Sequence, residues 1–381
     1  MTMHFDAPEY AARKARATAA INAEGFDALL MFAPESQYWI CGYDTFGFAL
    51  FQCLVLTAKG DLHLLTRNPD LRQARLTSTL SDAEIHIWDD VEGMNPAADL
   101  AKLLADLGVS GRIGYEGQTA GLTDYNGQQV RALIPDLVES TEIIRAQRRI
   151  KSDAEVAMHR RAAALSDDAL DAGIAATEAG AFEGDILAEM QGAVFKGGGD
   201  YAGNEFIIGS GDGALLCRYF SGRRHLDASD QLTLEWSGAY ARYHAAMMRT
   251  IIVGEPSDSH KRMHAACQEA LIACEAAIMP GAPMGDVFDA HAAVFDSHGY
   301  GHARLKACGY GMGAIYNPIW VDFPMFYEGN PLIMQEKQVF FLHMILMDSD
   351  SGDAMTLGHS VLVKPDGVER LSRHSTGLIV R

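Results

Sequence analysis

The polar residues with the clearest chemistry lie in the second half of the chain. His343 lies in the apolar run FFLHMIL, where a polar side chain needs a specific partner. His343, His244 and Glu235 are together the ligand types of a mononuclear non-haem iron centre. Ionisable groups that gather in one cleft are also candidate acid–base catalysts. For each histidine taken alone, a hydrogen-bonded position in a sheet is the structural alternative.

A second pair of candidates lies in the segment IIGSGDGALLCRYFSG. Arg218 could hold a substrate carboxylate, because a guanidinium group presents a planar, two-pronged set of donors. A surface ion pair is the alternative role for this arginine. Cys217 could act as a nucleophile only with a base beside it, and a buried, inert thiol is the simpler interpretation.

The elements that must position these residues follow from the hydrophobic pattern. In the first half, helical spacing over 8–24 and 96–108 alternates with short apolar runs that suit strands. This alternation predicts an α/β domain. The strand-like runs are 26–33, 48–66, in which a Lys-Gly-Asp turn separates two strands, and 111–117.

A cationic segment at 145–152, RAQRRIKS, predicts a surface connection between two domains. Ser152 and Glu155 then form a capping-box pattern, so a long helix should begin there. Further helices are predicted near 182–195 and 258–278. Strand-like runs between and after them indicate helices that cover a strongly bent antiparallel sheet of α+β type. These runs are 231–254, 338–348 and 359–367.

The bulk composition limits the classes of partner and compartment. The chain has 381 residues, 48% of them hydrophobic, which is enough for two cores. Its net charge of −19 repels phosphate backbones and anionic membranes, so neither nucleic acid nor a membrane is an expected partner. Six cysteines without a CxxC pair fit reduced thiols in a cytoplasmic protein. The N-terminus has no signal-peptide core, and no run approaches the ~20 apolar residues of a membrane span.

Three segments together carry a resemblance that covers essentially the whole chain. RRIKSDAEVAMHRRAAALSDDAL resembles the entry helix, LEWSGAYARYHAAMMRTIIVGEP the central hairpin and GHSVLVKPDGVERLS the closing strand of the creatinase/prolidase/methionine aminopeptidase family. The resemblance implies that family's pita-bread fold. We therefore expect an α/β creatinase-like N-terminal domain over 1–148 and an α+β pita-bread catalytic domain over 149–381.

The resemblance also implies where the family's two-metal ligands would lie. The peptidase pattern has two aspartates, a histidine and two glutamates, because hard divalent ions prefer bridging carboxylates. The residues at these positions here are Glu235, Ala246, Tyr310, His343 and Gly358. At best two of the five could coordinate a metal, so no metal cofactor is expected.

A rebuilt mononuclear metal site is the alternative. His244 precedes Ala246 by two residues, and on a strand both would share one face. Such a site would use Glu235, His244 and His343. His359 adjoins a lost ligand position and could face either side of its strand.

Within the family, the chain resembles the creatinase and ectoine hydrolase-like branch. The features that it shares with ectoine hydrolase-like members are RYH…RT, CGY-x-x-G, YNPIW, and the N-terminal GYD and QC segments. The histidine that follows a Ser-Gly stretch in creatinase is absent, since Cys217 or Arg218 falls there. We expect Glu235, His343, His244 and Tyr310 to be catalytic residues. The residues expected to bind substrate are Arg218, Arg249, Tyr43, Phe46, Arg67, His359 and Trp320. For Arg249 a structural role is the alternative.

The predicted function is metal-independent hydrolysis of a C–N bond in a small, polar, carboxylate-bearing metabolite. The bond would belong to an amidine, cyclic amidine, ureido or amide group. One alternative is a metal-dependent Xaa-Pro-type peptidase, or a lyase, with the mononuclear site. Another is a non-catalytic protein that binds a small molecule. The family resemblance further implies a homodimer, in which the N-terminal domain of one subunit covers the site of the other.

Overall fold

The computed structural model describes residues 3–218 and 222–381. It divides into two compact units, Met1–Arg148 and Arg149–Arg381. The first unit is an α/β domain and the second an α+β domain, as the fold prediction stated. Among the described residues, no helix is both long enough and apolar enough to cross a bilayer.

The N-terminal unit is built on a six-stranded mixed sheet. Its strands are β1 (Ala28–Met31), β2 (Cys53–Thr57), β3 (Leu62–Arg67), β4 (Ile85–Trp88), β5 (Ile113–Tyr115) and β6 (Leu137–Glu139). They lie in the order β4-β3-β2-β1-β5-β6. Strand β1 is fully buried, and it runs antiparallel to β2 and parallel to β5. The helices are α1 (Ala7–Ala23), α2 (Pro34–Cys41), α3 (Leu71–Thr77), α4 (Pro96–Asp106), α5 (Asp124–Leu133) and α6 (Glu142–Arg149).

The predicted surface connection at 145–152 is wrong in its first half. α6 continues through Arg149, and it buries Ile144 and Arg148, which lie four residues apart on one face. The cationic composition of this segment concealed a short amphipathic helix.

The C-terminal unit is built on a nine-stranded sheet. Its strands are β7 (Ile207–Ser210), β8 (Asp230–Tyr240), β9 (Tyr243–Val253), β10 (Ala307–Gly311), β11 (Asp322–Tyr327), β12 (Val339–Asp348), β13 (Asp353–Lys364), β14 (Gly367–Arg370) and β15 (Ile379–Val380). They lie in the order β11-β10-β12-β13-β9-β8-β7, with β14 paired to β13 and β15 to β9. All pairs are antiparallel except β15 with β9. The helices are α7 (Asp153–Ala176), α8 (Glu183–Lys196), α9 (Asp258–Ala277) and α10 (Gly285–Ser297).

Local sequence explains most of these helices. α7 begins with the predicted capping box, in which the Ser152 and Glu155 side chains satisfy each other's backbone N–H groups. The prediction missed α10. This helix buries Val287, Phe288 and Phe295, but Gly285 and three aspartates interrupt its apolar pattern.

The strands give the C-terminal sheet two distinct faces, because successive side chains alternate between them. The back face packs on helices: Leu342 and Leu357 share a core with Cys267 of α9, and Trp236 Nε1 donates to the Ser166 carbonyl of α7. The front face carries the opposite set of side chains, including those of Glu235 and His343.

Candidate active site

The five positions that correspond to the family's metal ligands all lie on the front face. Glu235 pairs with Met248, Met248 with Gly358, and Gly358 with His343. This cross-strand line, Glu235–Met248–Gly358–His343, is called the site row below. Ala246 lies two residues from Met248 on the same strand, and therefore also faces the front.

Tyr310 completes the set, and it shows how strongly the sheet is bent. It lies on β10, and three strands separate it from Glu235 on β8 in the sheet order. Even so, Tyr310 Oη lies 3.5 Å from Glu235 Oε1, a long hydrogen bond. Only a sheet that curls back on itself brings these two strands face to face.

Glu235 is buried, with only 9% of its surface exposed, and its carboxyl group has an unusual pKa. Burial raises its pKa to about 7, although the Arg218 charge and the Tyr310 hydrogen bond both act to lower it. A carboxyl group with this pKa changes charge near neutral pH. It can therefore both accept and return a proton, as a general base or acid must.

Tyr310 is held as a protonated hydrogen-bond donor. Burial, together with the Glu235 charge, raises the pKa of its phenol well above the usual value. The Nε1–H of Trp320 donates to Tyr310 Oη over 2.8 Å, which leaves the phenol proton free to point toward Glu235. Trp320 is 2% exposed, so its observed role is to position Tyr310. Its predicted contact with substrate stays a prediction.

His343 packs within an aromatic group on the same face. Its ring centroid lies 5.6 Å from those of both Tyr310 and Phe341, which are themselves 5.4 Å apart. Burial lowers the pKa of His343 to about 4, so the imidazole is neutral at pH 7. Its Nδ1 is buried and finds no partner among the described residues. A neutral imidazole with an unused ring nitrogen can relay a proton.

Arg218 lies close enough to act electrostatically on Glu235, and Glu235 acts in the same way on Cys217. The Arg218 side chain is exposed, and its charge lowers the pKa values of Glu235 and Tyr310. Burial and the Glu235 carboxylate raise the pKa of Cys217, which keeps this thiol protonated. These facts agree with an inert Cys217 and leave Arg218 as the cation of the site. The next residues, 219–221, lie outside the described part of the chain.

The structure does not bring His244 to the site, which corrects the prediction of a catalytic or ligating role. His244 pairs with Ala239, four residues along the strand from Glu235, or roughly 13 Å at the usual rise. Both of its ring nitrogens bond to the backbone: Nδ1 donates to the Arg242 carbonyl, and Nε2 accepts from Gly203 N–H, each at 2.8 Å. The ring has no nitrogen left for a metal or a substrate.

Arg249 and His359 are also corrected, because they lie on the back face. Arg249 pairs with Leu357, and its Nη1 donates to the carbonyls of Met248 and Gly358. His359 Nε2 lies 2.7 Å from Glu275 Oε1 on α9. Neither side chain can reach a substrate on the front face.

The three N-terminal predictions have different outcomes within their own unit. Tyr43 is 1% exposed, and its hydroxyl lies near Gln52 and Thr66, so it belongs to the core rather than to a binding surface. Phe46 is 80% exposed. Arg67 forms a two-pronged ion pair with Asp90. The substrate-binding roles of Phe46 and Arg67 stay predictions.

Phe341 is a site residue that the sequence reasoning missed. A Cβ added at Gly358 would lie 3.0 Å from Phe341 Cε2 and 2.5 Å from the Leu342 carbonyl oxygen. The phenyl ring therefore fills the space beside a position where the family pattern has a glutamate. Its signal was present in the sequence: Phe341 precedes His343 by two residues, and must share its face.

These residues do not fit a two-metal centre. Only Glu235 among the five positions carries a carboxylate, Ala246 has no ligand atom, and Phe341 crowds Gly358. A dinuclear site needs several bridging carboxylates. Within 3–218 and 222–381, the only group of three or more His, Cys, Asp or Glu with converging ligand atoms lies elsewhere, at the far end of β12. It consists of His302, Asp348 and Asp350, and is largely exposed.

Comparison with known proteins agrees with this architecture. Residues 157–365 match metallopeptidase family M24, and residues 13–150 match the creatinase/prolidase N-terminal domain. The chain belongs to metallopeptidase family M24. It is a hydrolase acting on carbon–nitrogen bonds, as predicted.

Individual relatives span the full length. The ectoine hydrolase of Halomonas elongata is 24% identical, over 100% of this chain and 99% of that protein. The Xaa-Pro dipeptidase of Pyrococcus furiosus is 19% identical, over 94% of this chain and 97% of its own. The solved structure of a recombinant prolidase from Thermococcus sibiricus has a TM-score of 0.87 at 19% identity, and covers 98% of this chain and 99% of its own. This likeness confirms the pita-bread fold.

Proposed function

We propose that the chain hydrolyses a C–N bond of a small, carboxylate-bearing metabolite without a two-metal centre. The observation that carries this proposal is the buried Glu235 carboxyl, which has a pKa of about 7 and contacts the Tyr310 phenol. In two-metal hydrolases, metal ions generate the attacking hydroxide. A carboxylate that titrates near neutrality can take the proton from water instead.

The proposed reaction uses one water and conserves its protons. The water oxygen bonds to the carbon of an amidine, cyclic amidine, ureido or amide group, and the water proton passes to Glu235. Tyr310 donates a hydrogen bond to the charge that develops on the tetrahedral intermediate. The Glu235 carboxylic acid then protonates the leaving nitrogen as the C–N bond breaks. In this proposal neutral His343 relays this proton, and Arg218 holds the substrate carboxylate.

The full-length match to an ectoine hydrolase supports this choice of bond. We expect the chelator-stripped full chain to turn over at least one compound in a panel of ectoine, other cyclic amidines, ureido acids and N-acyl amino acids. Glu235→Gln should abolish that turnover, while Asp212→Asn, a change at an exposed acid, should keep it. A stripped protein that is inactive on the whole panel, and that iron or manganese revives, overturns the proposal.

The second candidate function is a metal-dependent Xaa-Pro peptidase or lyase. The family assignment and the Xaa-Pro dipeptidase relatives favour it. Elemental analysis of the purified chain separates the two functions. Stoichiometric transition metal together with cleavage of Xaa-Pro dipeptides supports the second candidate, and a metal-free, active protein removes it.

A homodimer in the cytoplasm belongs to the same proposal. We assign Phe46, whose phenyl ring is exposed on the N-terminal unit, to the interface that the family resemblance implies. Light scattering of the purified full chain measures the subunit number directly.

A further inference from the structure

A buried arginine lies directly behind the site row. Arg249 is 1% exposed, and its Nη1 donates to the carbonyl oxygens of Met248, at 2.8 Å, and Gly358, at 2.5 Å. Its Nε and Nη2 meet no hydrogen-bond acceptor among the described residues. Burial lowers its pKa to about 10, and the Asp167 charge acts in the opposite direction.

The two carbonyls belong to different strands, and both lie in the site row. Met248 stands next to Glu235 in that row, and Gly358 next to His343. Arg249 therefore ties the β8–β9 half of the sheet to the β12–β13 half at the level of the candidate catalytic groups.

Among the junctions that join β8, β9, β13 and β12, the one between β9 and β13 has the fewest backbone pairs. β8 pairs with β9, and β12 with β13, along nearly their whole lengths. β9 and β13 pair only at Leu357 with Arg249, Gly358 with Met248, and His359 with Met247. We call these three pairs the seam.

Side chains extend the seam on the front face. On one side, Thr250 Oγ1 accepts the Thr356 N–H over 2.8 Å. On the other side, the Ser360 hydroxyl donates to the Ala246 carbonyl over 3.0 Å. Side-chain hydrogen bonds thus join β9 to β13 on both sides of the three backbone pairs. Arg249 joins the two strands between them, from the back face of the sheet.

An arginine is a costly residue at such a position. A buried cation without a carboxylate partner is usually less stable than an apolar side chain of similar volume. An apolar residue, however, cannot donate hydrogen bonds to carbonyls on two strands, whereas a planar guanidinium can. Arg249 thus holds two strands at a fixed spacing, and it makes the fold less stable than an apolar residue would.

We propose that Arg249 is a positioning residue, which holds β9 against β13 and so fixes the spacing between Glu235 and the Tyr310–His343 group. The predicted role of Arg249 as a substrate anchor is replaced by this one. The inference rests on the proposed function only where turnover is measured, since the seam itself is a property of the fold.

Arg249→Met tests the proposal in the full chain. We expect amide hydrogen exchange at 247–249 and 357–359 to rise at least about ten-fold, because the seam loses its support. Water then reaches Glu235, and the infrared midpoint of its protonated carboxyl should fall by at least about half a pH unit, since burial is the main cause of its raised pKa. The melting temperature should stay the same or rise.

Two variants sharpen the result. Trp236→Phe is the matched control, because Trp236 is also buried on the back face but bonds to α7 rather than across the seam. It should leave the exchange at the seam and the Glu235 midpoint unchanged. If Arg249→Met does not fold, Thr250→Val combined with Ser360→Ala removes the front supports, and should cause the same shift in midpoint.

The outcomes separate this inference from the proposed function. On any compound that the panel identifies, Arg249→Met should lower kcat about ten-fold while KM stays within about two-fold, as expected for lost transition-state geometry. Unchanged exchange and an unchanged midpoint overturn the inference, as does a variant that only loses stability. If no compound is turned over, the proposed function fails, and exchange and midpoint still decide the role of Arg249.

Discussion

At the scale of single residues, the site depends on the environments that separate the protonation states of Glu235, Tyr310 and His343. Burial raises the pKa values of the two acids and lowers that of the imidazole. Of the three groups, only Glu235 thereby acquires a pKa near 7. Pairs of groups with divergent pKa values are the usual sign of acid–base assignments in hydrolases. The assignment of Glu235 as base, with Tyr310 as donor, follows from this separation.

The pH dependence of turnover should follow the ionisation of the Glu235 carboxyl group. As a base it must be ionised, so kcat/KM should rise as pH rises through about 7. Arg218→Gln removes a charge that lowers this pKa, and we expect the rising limb to move to higher pH. A limb that stays in place in the variant would show that the Arg218 charge does not act on the base.

The same carboxyl should make the protein less stable at alkaline pH. Its pKa is raised from 4.5 to about 7 in the folded state, so the folded state binds more protons between these values, and stability is lost as pH rises through them. Glu235→Gln removes this penalty, which is at most about 3 kcal/mol for a shift of this size. Urea unfolding at pH 8 should find the variant more stable than wild type.

The control for this effect is the same pair of proteins near pH 4.5, where both side chains are uncharged in the folded state. There the difference in the free energy of unfolding should largely vanish. A difference that does not vary with pH contradicts a buried carboxyl with a raised pKa.

At the scale of elements, the sequence predicted the hairpin β8–β9, the start of α7, the strand β12 and the second half of β13. Their signals are local: apolar alternation and a capping box. The positions of the catalytic candidates on these strands could also be predicted. The facing of His359 and the hydrogen bonds of His244 could not, because they depend on helix α9 and on the Gly203 backbone, which are far away in the chain.

The Gly358–Phe341 contact gives a prediction at this scale. Gly358→Ala places a Cβ within 3.0 Å of the phenyl ring and nearer still to a carbonyl oxygen, so it should destabilise the fold by about 1–3 kcal/mol. Gly192→Ala is the control, because a Cβ in that helix meets only Lys196 Nζ at 3.9 Å. That change should be neutral or stabilising by up to about 1 kcal/mol. Thermal unfolding of both variants checks the contrast.

At the scale of the whole molecule, the family resemblance predicted two domains, the pita-bread fold and the class of hydrolase, and each is confirmed. It could not predict which residues fill the space of the missing ligands. The order of motifs specifies a chain path, whereas the contents of a cavity depend on packing between strands that are distant in sequence, as with Glu235 on β8 and Tyr310 on β10.

The proposed dimer yields a test by complementation. Glu235→Gln inactivates a site, and Phe46→Asp should disrupt the surface that covers the partner's site. If each subunit covers the other, refolding the two inactive variants together should restore turnover that neither has alone. Turnover that stays absent in the mixture, from variants that still form dimers, contradicts the shared site.

The central claim is that Glu235 is a buried base that titrates near neutrality without help from a metal. Infrared titration of the metal-stripped full chain measures this directly, with the carboxyl band assigned by its loss in Glu235→Gln. We predict a midpoint near pH 7, unchanged by added Mn²⁺ or Fe²⁺. A midpoint close to the ordinary value of 4.5, or one that added metal drives downward, would contradict the account.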